Sequence, residues 1–334
     1  MSPSAPTGFL LHPSASLHDT GWEHPEHQGR LRFLASTVGK DMLALFGRAE
    51  QVPAGEGTVE DLLRVHTRDH VDRVRQAVAQ AQESGSLVAL DPDTTVSSAS
   101  WEAAMGSLGA ALTAVDAVSR GSLRNAFVAT RPPGHHATRE RAMGFCLFNT
   151  VAATARWLQA HRRADRVLVV DWDVHHGNGT QDIFWTDPTV FYLSLHQHAH
   201  YPGTGAASEI GGGPGEGTTL NVPLAAGTSR SAYREAFVAA LDRALEGFSP
   251  DFVLISAGFD ALAGDPLGGL LLEPEDFHAL TREVMIRTEE SGKRLVAFLE
   301  GGYDPRRTGL AAVAVIRALA DISEADPTAP VPSV

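Results

Sequence analysis

Short runs of apolar, often β-branched residues recur along the chain, and longer stretches rich in alanine and charged residues alternate with them. Apolar runs of this length are typical of strands that are buried on both faces of a sheet. The sequence predicts five such strands, at Asn125–Thr130, Arg166–Val170, Val190–Leu195, Phe252–Ser256 and Leu295–Leu299.

The intervening stretches predict helices. Gly121 follows an alanine-rich stretch and is typical of a helix C-terminus, whereas Pro274 and Glu275 suit a first turn. Alternating strands and helices predict an α/β protein whose parallel sheet carries helices on both faces. Because no shift in composition marks a boundary, we expect one domain over residues 1–334, with a frayed tail after about residue 321. The predicted helices are Trp101–Arg120, Thr150–Ala160, Ser231–Gly247 and Pro274–Ser291.

Composition and charge disfavour several classes of protein. The formal net charge of −13 over 334 residues disfavours binding to nucleic acid and would favour a cationic substrate. Cys146 is the single cysteine, which excludes an internal disulfide and a cysteine-based zinc cluster, and its apolar neighbours predict a packing role. The N-terminus lacks the pattern of a signal peptide, and no apolar run is long enough for a membrane helix. We therefore expect a cytoplasmic protein that does not contact membranes.

Polar and glycine-rich motifs follow directly after all five predicted strands. Since ligands bind beyond the carboxyl ends of the strands in parallel sheets, we expect these motifs to share one active site. In chain order they are RPPGHH, DWDVHHGNG, HQHAHYPGTG, AGFDALAGDP and EGGYD.

The second of these motifs carries candidate metal ligands. Alternate residues at a strand end point the same way, so Asp173 and His175 can face one point, where Asp171 can join them. Asp260 follows a later strand and supplies a third candidate. Carboxylate and imidazole ligands suit zinc, and a fourth position open to water or substrate distinguishes a catalytic zinc site from a structural one. The alternatives are a salt-bridged Asp–His network and, for Asp260, a helix N-cap.

Two further motifs carry candidates for acid–base and oxyanion chemistry. A rigid turn presents His135 and His136, which could bind a metal or transfer protons. With three ligands assigned, we favour proton transfer. Gly301 and Gly302 permit a tight turn that can aim the Tyr303 hydroxyl into the pocket, where it could donate to a developing oxyanion. The alternative is a core tyrosine whose hydroxyl has a partner.

Together these motifs resemble the zinc-dependent histone deacetylase and acetylpolyamine amidohydrolase superfamily, over about residues 8–320. The resemblance implies a three-layer αβα sandwich with a mainly parallel central sheet, the arginase–deacetylase fold. The matching strings are HPEHQGRL at 24–31, RPPGHHA at 131–137, MGFCLFN at 143–149, DWDVHHGNGTQ at 171–181, SLHQ at 194–197, YPGTG at 201–205, AGFDALAGDPLGG at 257–269 and LEGGYD at 299–304.

The resemblance also implies roles for individual residues. His136 matches the family's general base, His135 its electrostatic or acidic neighbour, and Asp171 the carboxylate that pairs with His135. Tyr303 matches the catalytic tyrosine. The implied zinc ligands are Asp173, His175 and Asp260, the implied channel for the acyl-lysine stem is lined by Gly144, Phe145 and Tyr201, and an implied structural potassium site comprises Asp171, Asp173, His175, Ser194 and Leu195.

Two details concern the subfamily and the substrate. Asn178 stands where class I members carry an aspartate oriented toward the base, and with the GFD of residues 258–260 it makes the chain class II-like. A neutral partner leaves His136 less basic than a carboxylate would. Leu267 occupies the place where polyamine-selective members can carry a glutamate, and an apolar residue there suits a neutral acyl-lysine stem. We expect the rim of the channel to include His18, Asp19, His24 to His27, Asp91 and Asp93.

The resemblance thus implies a zinc-dependent amidohydrolase that removes acetyl or other acyl groups from lysine side chains. Its partners would be acetylated peptides, proteins or small amines. An acetylpolyamine amidohydrolase is the nearest alternative. A non-catalytic binder of acylated ligands and a ureohydrolase-like enzyme with two manganese ions are alternatives of another kind. The sequence leaves the physiological substrate, the acyl chain length and the oligomeric state open.

Overall fold

Ten strands, nine α-helices and two short 3-10 helices (Pro13–Leu17 and Gly213–Gly215) make up the regular structure of residues 5–289 and 294–322, the part of the chain that the computed structural model describes. The strands are β1 (Thr7–Leu10), β2 (Ala49–Gln51), β3 (Val88–Asp91), β4 (Thr94–Val96), β5 (Asn125–Val128), β6 (Val167–Asp171), β7 (Val190–Gln197), β8 (Thr219–Leu224), β9 (Phe252–Ala257) and β10 (Leu295–Leu299). β3 and β4 form an antiparallel pair. The other eight form one parallel sheet in the order β2-β1-β5-β10-β9-β6-β7-β8.

Several of the helices begin where a side chain satisfies free main-chain N–H groups. Asn149, Ser229 and Asp304 each accept hydrogen bonds from main-chain N–H groups in the first turn of the helix that follows. Pro274 occupies the first turn of its helix, as predicted. The helices are α1 (Gly29–Asp41), α2 (Val59–Leu62), α3 (Arg68–Ser84), α4 (Ser100–Ser119), α5 (Thr150–Ala160), α6 (Asn178–Phe184), α7 (Arg230–Leu245), α8 (Pro274–Arg287) and α9 (Pro305–Leu319).

The sheet has an apolar core on each face, so the fold has three layers. Along β6, Leu168 and Val170 belong to the core that packs against α1, α7, α8 and α9, while Val167 and Val169 belong to the core beneath α3, α4 and α5. This alternation follows from the two-residue period of a strand, which sends successive side chains to opposite faces. Both faces are therefore buried, which explains the almost uninterrupted apolar character of the central strands.

The prediction of an α/β fold with a central parallel sheet and helices on both faces is confirmed. All five predicted strands and all four predicted helices are present, and Gly121 follows α4 with a φ of +73°. The predicted end of the fourth helix at Ser291 and the predicted tail beyond residue 322 lie outside the described residues. β8 escaped prediction because Asn221 and Pro223 interrupt it, which an edge strand tolerates.

The topology brings the motifs to one edge of the sheet. β5, β10, β9, β6 and β7 are consecutive in the sheet, and all five are parallel, so the segments that follow them emerge side by side. In register, Asp171 at the end of β6 pairs with Ser194 of β7 and Ser256 of β9. Among residues 5–289 and 294–322, none of the helices combines the length and the apolar character that a membrane crossing needs.

Candidate metal centre and active site

Three buried side chains from two loops meet beyond the centre of the sheet. Asp173 and His175 lie just after β6, and Asp260 lies just after β9. His175 Nδ1 is 3.1 Å from Asp173 Oδ1 and 3.1 Å from Asp260 Oδ2. The main-chain N–H groups of Val174 and Gly301 donate to the other carboxylate oxygens, each at 2.8 Å. The three predicted ligands thus lie together, and main-chain hydrogen bonds fix both carboxylates. We call these three residues the metal triad.

The geometry of the metal triad fits a tetrahedral metal ion. Ligand atoms bonded at roughly 2.0–2.2 Å to a tetrahedral zinc ion lie about 3.3–3.6 Å apart, a few tenths of an ångström more than the two separations of 3.1 Å found here. A single ring N–H cannot donate well to two carboxylates at once, so a cation completes this set better than a proton does. Glycines provide the room, since a Cβ on Gly258 would lie 2.1 Å from Asp173 Oδ2 and one on Gly301 would lie 2.0 Å from Asp260 Oδ2.

The metal triad carries an excess of negative charge. Burial and the charge of Asp173 raise the pKa of Asp260 to about 7. Burial opposes the charged form of His175, but hydrogen bonds with Asp173 and Asp260 raise its pKa to about 10. Both shifts show that the site favours added positive charge. Within the described part of the chain, it is the only cluster of three or more histidine, cysteine or acidic side chains with the spacing to hold a metal ion.

The two histidines of the RPPGHH turn lie beside the metal triad in different environments. His135 Nδ1 is 3.0 Å from Asp171 Oδ2, and the charges of Asp173 and Asp171 outweigh burial, so the pKa of His135 is raised well above its usual value. His136 Nδ1 donates to Asn178 Oδ1 at 2.9 Å, and burial together with the neighbouring histidines holds its pKa well below the usual value. The Asn178 contact fixes the ring proton on Nδ1 and leaves Nε2 of His136 free to accept one.

The predicted channel residues line one cavity of about 510 Å³ above the metal triad. Gly144 approaches the base so closely that a Cβ there would lie 2.3 Å from His136 Cδ2, and its φ is +57°. Tyr201 meets the His136 ring edge-on, with centroids 5.1 Å apart. The lining residues are Asp93, His136, Gly144, Phe145, His175, Gln197, His200, Tyr201, Pro266, Leu267, Gly268, Gly269 and Tyr303.

Tyr303 lines this cavity and is 9% exposed. The Arg30 guanidinium lies over its ring at 4.7 Å, and Phe145 meets it edge-on at 5.8 Å. Burial raises the pKa of Tyr303 well above its usual value despite the nearby Arg30, so the phenol keeps its proton. Tyr303 therefore brings a protonated phenol to the lining of the cavity, and its role as an oxyanion donor stays a prediction.

The residues of the predicted potassium site also lie together. Asp171 and Ser194 are paired in register on β6 and β7, and Leu195 follows on β7. All five residues of that prediction are buried.

Cys146 is buried as well; burial raises the pKa of its thiol well above the usual value, which fits a packing role.

The predicted rim is wrong for part of the N-terminal loop. His18 is buried and its Nδ1 lies 2.7 Å from Ser100 Oγ, and Glu26 is buried with two arginines. The burial of an unforeseen ion cluster explains the error. Of the predicted rim residues, Asp93 lines the cavity, while His24 packs against the Phe145 ring with centroids 4.6 Å apart.

Sequence reasoning missed an ion cluster formed by Glu26, Arg30 and Arg131. Glu26 Oε1 accepts from Arg131 Nε at 2.7 Å and from Arg30 Nη1 at 2.8 Å. Arg30 also donates to the Gly302 carbonyl at 2.6 Å and to the Glu300 carbonyl at 2.7 Å. The sole local signal is the four-residue spacing of Glu26 and Arg30 in HPEHQGR, which suits an ion pair on a helical turn.

Sequence reasoning also missed Glu300. Its side chain is buried, and Oε2 accepts from the main-chain N–H groups of Gly134 at 2.6 Å and His135 at 3.2 Å. Glu300 thereby anchors the turn that carries both histidines. Its place in the string LEGGYD gave no indication of that partner, because 165 residues separate it from His135.

Comparisons with known proteins agree with this geometry. Residues 24–319 match the model of the "Histone deacetylase domain" family. Histone deacetylase 10, chloroplastic, of Oryza sativa subsp. japonica is 39% identical over 295 residues, covering 84% of this chain and 66% of the relative. Histone deacetylase 15 of Arabidopsis thaliana is 42% identical, covering 89% of this chain and 52% of the relative.

A bacterial relative and a solved structure are also similar to this chain. The histone deacetylase-like amidohydrolase of Pseudomonas aeruginosa is 38% identical over 320 residues, covering 95% of this chain and 81% of the relative. The crystal structure of the HDA15 HD domain superposes with a TM-score of 0.87 at 39% identity, covering 94% of this chain and 90% of that one. The chain thus spans about half to four-fifths of the length of these curated relatives.

Proposed function

Because this chain belongs to the histone deacetylase family, we propose that it is a zinc-dependent amidohydrolase that removes acetyl groups from the side-chain amine of lysine. The observation that carries the proposal is the metal triad, which borders through His175 a cavity that also presents a neutral imidazole and a phenol. A binding pocket alone has no need of that combination, whereas amide hydrolysis needs an electrophilic centre, a base and an oxyanion donor.

The metal triad supplies the first of these needs. When bound to Asp173, His175 and Asp260, zinc supplies a Lewis acid that polarises a carbonyl group and lowers the pKa of water. The open space on the cavity side of His175 gives substrate access to the site. The proposal therefore takes one zinc ion as the cofactor.

His136 is the proposed general base. Its Nδ1–H donates to Asn178, so Nε2 faces the cavity without a proton and can take one from the attacking water. His135, paired with the Asp171 carboxylate, is favoured as a cation and stabilises negative charge nearby. The proton taken by His136 is then available for the leaving amine, and the products are acetate and a free amine.

Tyr303 is the proposed oxyanion donor. The phenol keeps its proton, and Arg30 and Phe145 hold its ring. The hydroxyl donates to the oxygen that becomes negative as water attacks the amide. Because this contact strengthens as charge develops, it lowers the barrier rather than simply improving substrate binding.

The walls of the cavity favour an acylated lysine stem. Phe145, Tyr201 and Leu267 offer apolar or aromatic surface to methylene groups. Leu267 offers no carboxylate to a second ammonium group, which favours acetyl-lysine over an acetylated polyamine. Acetylated peptides or proteins are the proposed partners, and small acetylated amines are the alternative.

Several secondary proposals accompany this function. Asp171, Asp173, His175, Ser194 and Leu195 are proposed to hold a structural potassium ion, largely through backbone carbonyls. The single cysteine, which excludes an internal disulfide, supports a cytoplasmic location. A two-manganese ureohydrolase is disfavoured because no second cluster with metal-ligand spacing occurs within residues 5–289 and 294–322.

The test is amine release from an acetyl-lysine peptide and from acetylputrescine, measured side by side with and without a zinc chelator. We expect chelator-sensitive release that is faster with the peptide. Faster release from acetylputrescine would keep the chemistry and overturn the argument from Leu267. No release from either substrate by protein that contains one zinc ion per chain would contradict the deacetylase proposal and favour a non-catalytic binder.

A further inference from the structure

One wall of the cavity, residues 266–269, contains neither helix nor strand. Side chains hold its main chain instead. The Leu267 N–H donates to Asp265 Oδ1 at 2.9 Å, and the Leu267 carbonyl accepts from His200 Nε2 at 2.8 Å. The Gly269 N–H donates to Gln197 Oε1 at 2.7 Å. Two of these three contacts come from the end of β7 and the segment after it, so that region fixes the position of the Leu267 wall.

His200 reaches this wall from a specific place beside the metal triad. Its ring stacks on the His175 ring with centroids 5.0 Å apart and an angle of 17° between the planes. One face of His200 is therefore held against His175, and its Nε2 edge is held by the Leu267 carbonyl. The ring acts as a spacer between the metal triad and the Leu267 wall.

The backbone before His200 is strained in a way that fits this placement. Ala199 has a φ of +53°, a left-handed conformation that costs a residue with a Cβ roughly 1–2 kcal/mol. His198 and Ala199 are exposed, whereas His200 lines the cavity. A glycine would adopt this conformation at no steric cost. The chain carries an alanine here, and contacts around the turn hold its backbone in the strained conformation.

We propose that His200 is a specificity-determining residue that sets the width of the channel. By donating to Leu267 while stacked on His175, it holds the Leu267 wall at a fixed distance from the metal triad, and so admits slim, unbranched amine stems. The proposal rests on the proposed deacetylase function and narrows it. The substrate class is N-acetylated primary aliphatic amines such as the lysine side chain, and aromatic stems are discriminated against.

Two substitutions separate the hydrogen bond from the ring. His200→Phe keeps an aromatic ring against His175 but removes the donor to Leu267. His200→Gln loses the ring but keeps an N–H donor of similar reach. His198→Phe is the matched control, because His198 is exposed in the same segment and does not line the cavity.

The first measurement is amide hydrogen exchange over residues 265–269, which requires no enzyme activity. We expect His200→Phe to speed exchange of Leu267 and Gly269 about two- to twelve-fold, the range for one net hydrogen bond. His200→Gln should restore most of the protection, and His198→Phe should match the parent protein. Unchanged exchange in His200→Phe would overturn the proposal.

The second measurement compares kcat/KM for an acetyl-lysine peptide with that for a peptide carrying 4-acetamidophenylalanine. We expect the preference for the linear stem to fall about two- to twelve-fold in His200→Phe, with a larger change in KM than in kcat and with bound zinc unchanged. An unaltered preference, or loss of zinc from His200→Phe, would overturn the role in specificity. If the parent protein hydrolyses neither peptide, the proposed function fails, while the exchange measurement still decides whether His200 holds the wall.

Discussion

Two buried clusters of charged residues lie near the same edge of the sheet, and they differ in how their charge is balanced. In the ion cluster, Glu26 lies between the guanidinium groups of Arg30 and Arg131, which also donate to backbone carbonyls. In the metal triad, Asp173 and Asp260 share one imidazole within hydrogen-bond distance, His175, while His135 Nε2 lies 3.8 Å from Asp173 Oδ1 and pairs with Asp171. The ion cluster thus has cationic partners of its own, whereas the metal triad retains an excess of negative charge.

This difference distinguishes a buried charge that stabilises the fold from a buried charge that can bind a ligand. A buried carboxylate must find a cation or a proton, because desolvation in the interior is costly. Glu26 finds two arginines within the chain. Among residues 5–289 and 294–322, no arginine or lysine forms an ion pair with Asp173 or Asp260, and a metal ion is the counter-charge that we propose for this site. The sign of a buried charge and the identity of its partner therefore distinguish a structural ion pair from a candidate ligand site, which burial alone does not.

The largest expected effect is on activity, through the metal triad. Removing the metal with a chelator should abolish amine release, because no other group in the cavity can act as a Lewis acid. The same treatment should lower the melting temperature, since metal at a thousand times its dissociation constant stabilises the folded state by about 4 kcal/mol. Turnover and thermal unfolding, measured before and after zinc is restored, check both effects. Full turnover in zinc-free protein would refute the metal-dependent mechanism.

The next effect is on stability, through the ion cluster. Glu26→Ala leaves two buried guanidinium groups without their carboxylate, and we expect it to lower the free energy of unfolding by about 3–5 kcal/mol. The loss should be equal in the presence and absence of zinc, because Glu26 pairs with Arg30, Arg131 and His18 and not with the metal triad. Urea unfolding checks this. Glu275→Ala removes an exposed carboxylate from Arg230 and should cost no more than about 1 kcal/mol. Equal losses in the two variants would contradict the argument from burial.

A third effect links the two clusters, since Arg30 covers the Tyr303 ring. Tyr303→Phe should reduce kcat roughly a hundred- to a thousand-fold, the range for one oxyanion donor, while stability and zinc content change little. Tyr233→Phe is the control, because its buried hydroxyl has no hydrogen-bond partner among the described residues and lies in the core. Tyr233→Phe should keep its turnover. A Tyr303→Phe enzyme with full turnover would exclude the proposed role.

The smallest effect concerns a pH dependence beside the ion cluster, where His18 Nε2 lies 3.7 Å from Glu26 Oε2. Burial lowers the pKa of His18 from 6.5 to about 4, so in this range the unfolded chain binds a proton that the folded chain does not. The free energy of unfolding is therefore at its full value above pH 6.5. It falls by roughly 3 kcal/mol through this group as the pH drops toward 4. His18→Gln should flatten that part of the stability profile relative to the parent. His198→Gln, at an exposed position, is the control and should leave the pH dependence of stability unchanged. If the stability of His18→Gln fell with pH as steeply as that of the parent, His18 would not be the group responsible.

The sequence predicted the parts of the molecule that depend on local pattern. Apolar runs of five or six residues identified the central strands, because strands buried on both faces need such runs. β1, with only four residues and a glycine, and β8, with Asn221 and Pro223, lack that pattern and escaped prediction. The roles assigned to the candidate site residues stay predictions, although the structure brings those residues together around one cavity.

What the sequence determined by itself is the set of motifs that follow the strands, and hence the ligand types and the chemistry they favour. What only the tertiary structure decided is which distant residues meet. Glu26 and Arg131 are 105 residues apart, and His200 and Leu267 are 67 residues apart. The pairing of such residues depends on the order of strands in the sheet and on the packing of loops above it. No local pattern encodes either property, which explains why the ion cluster and the His200 contact emerged only from the folded molecule.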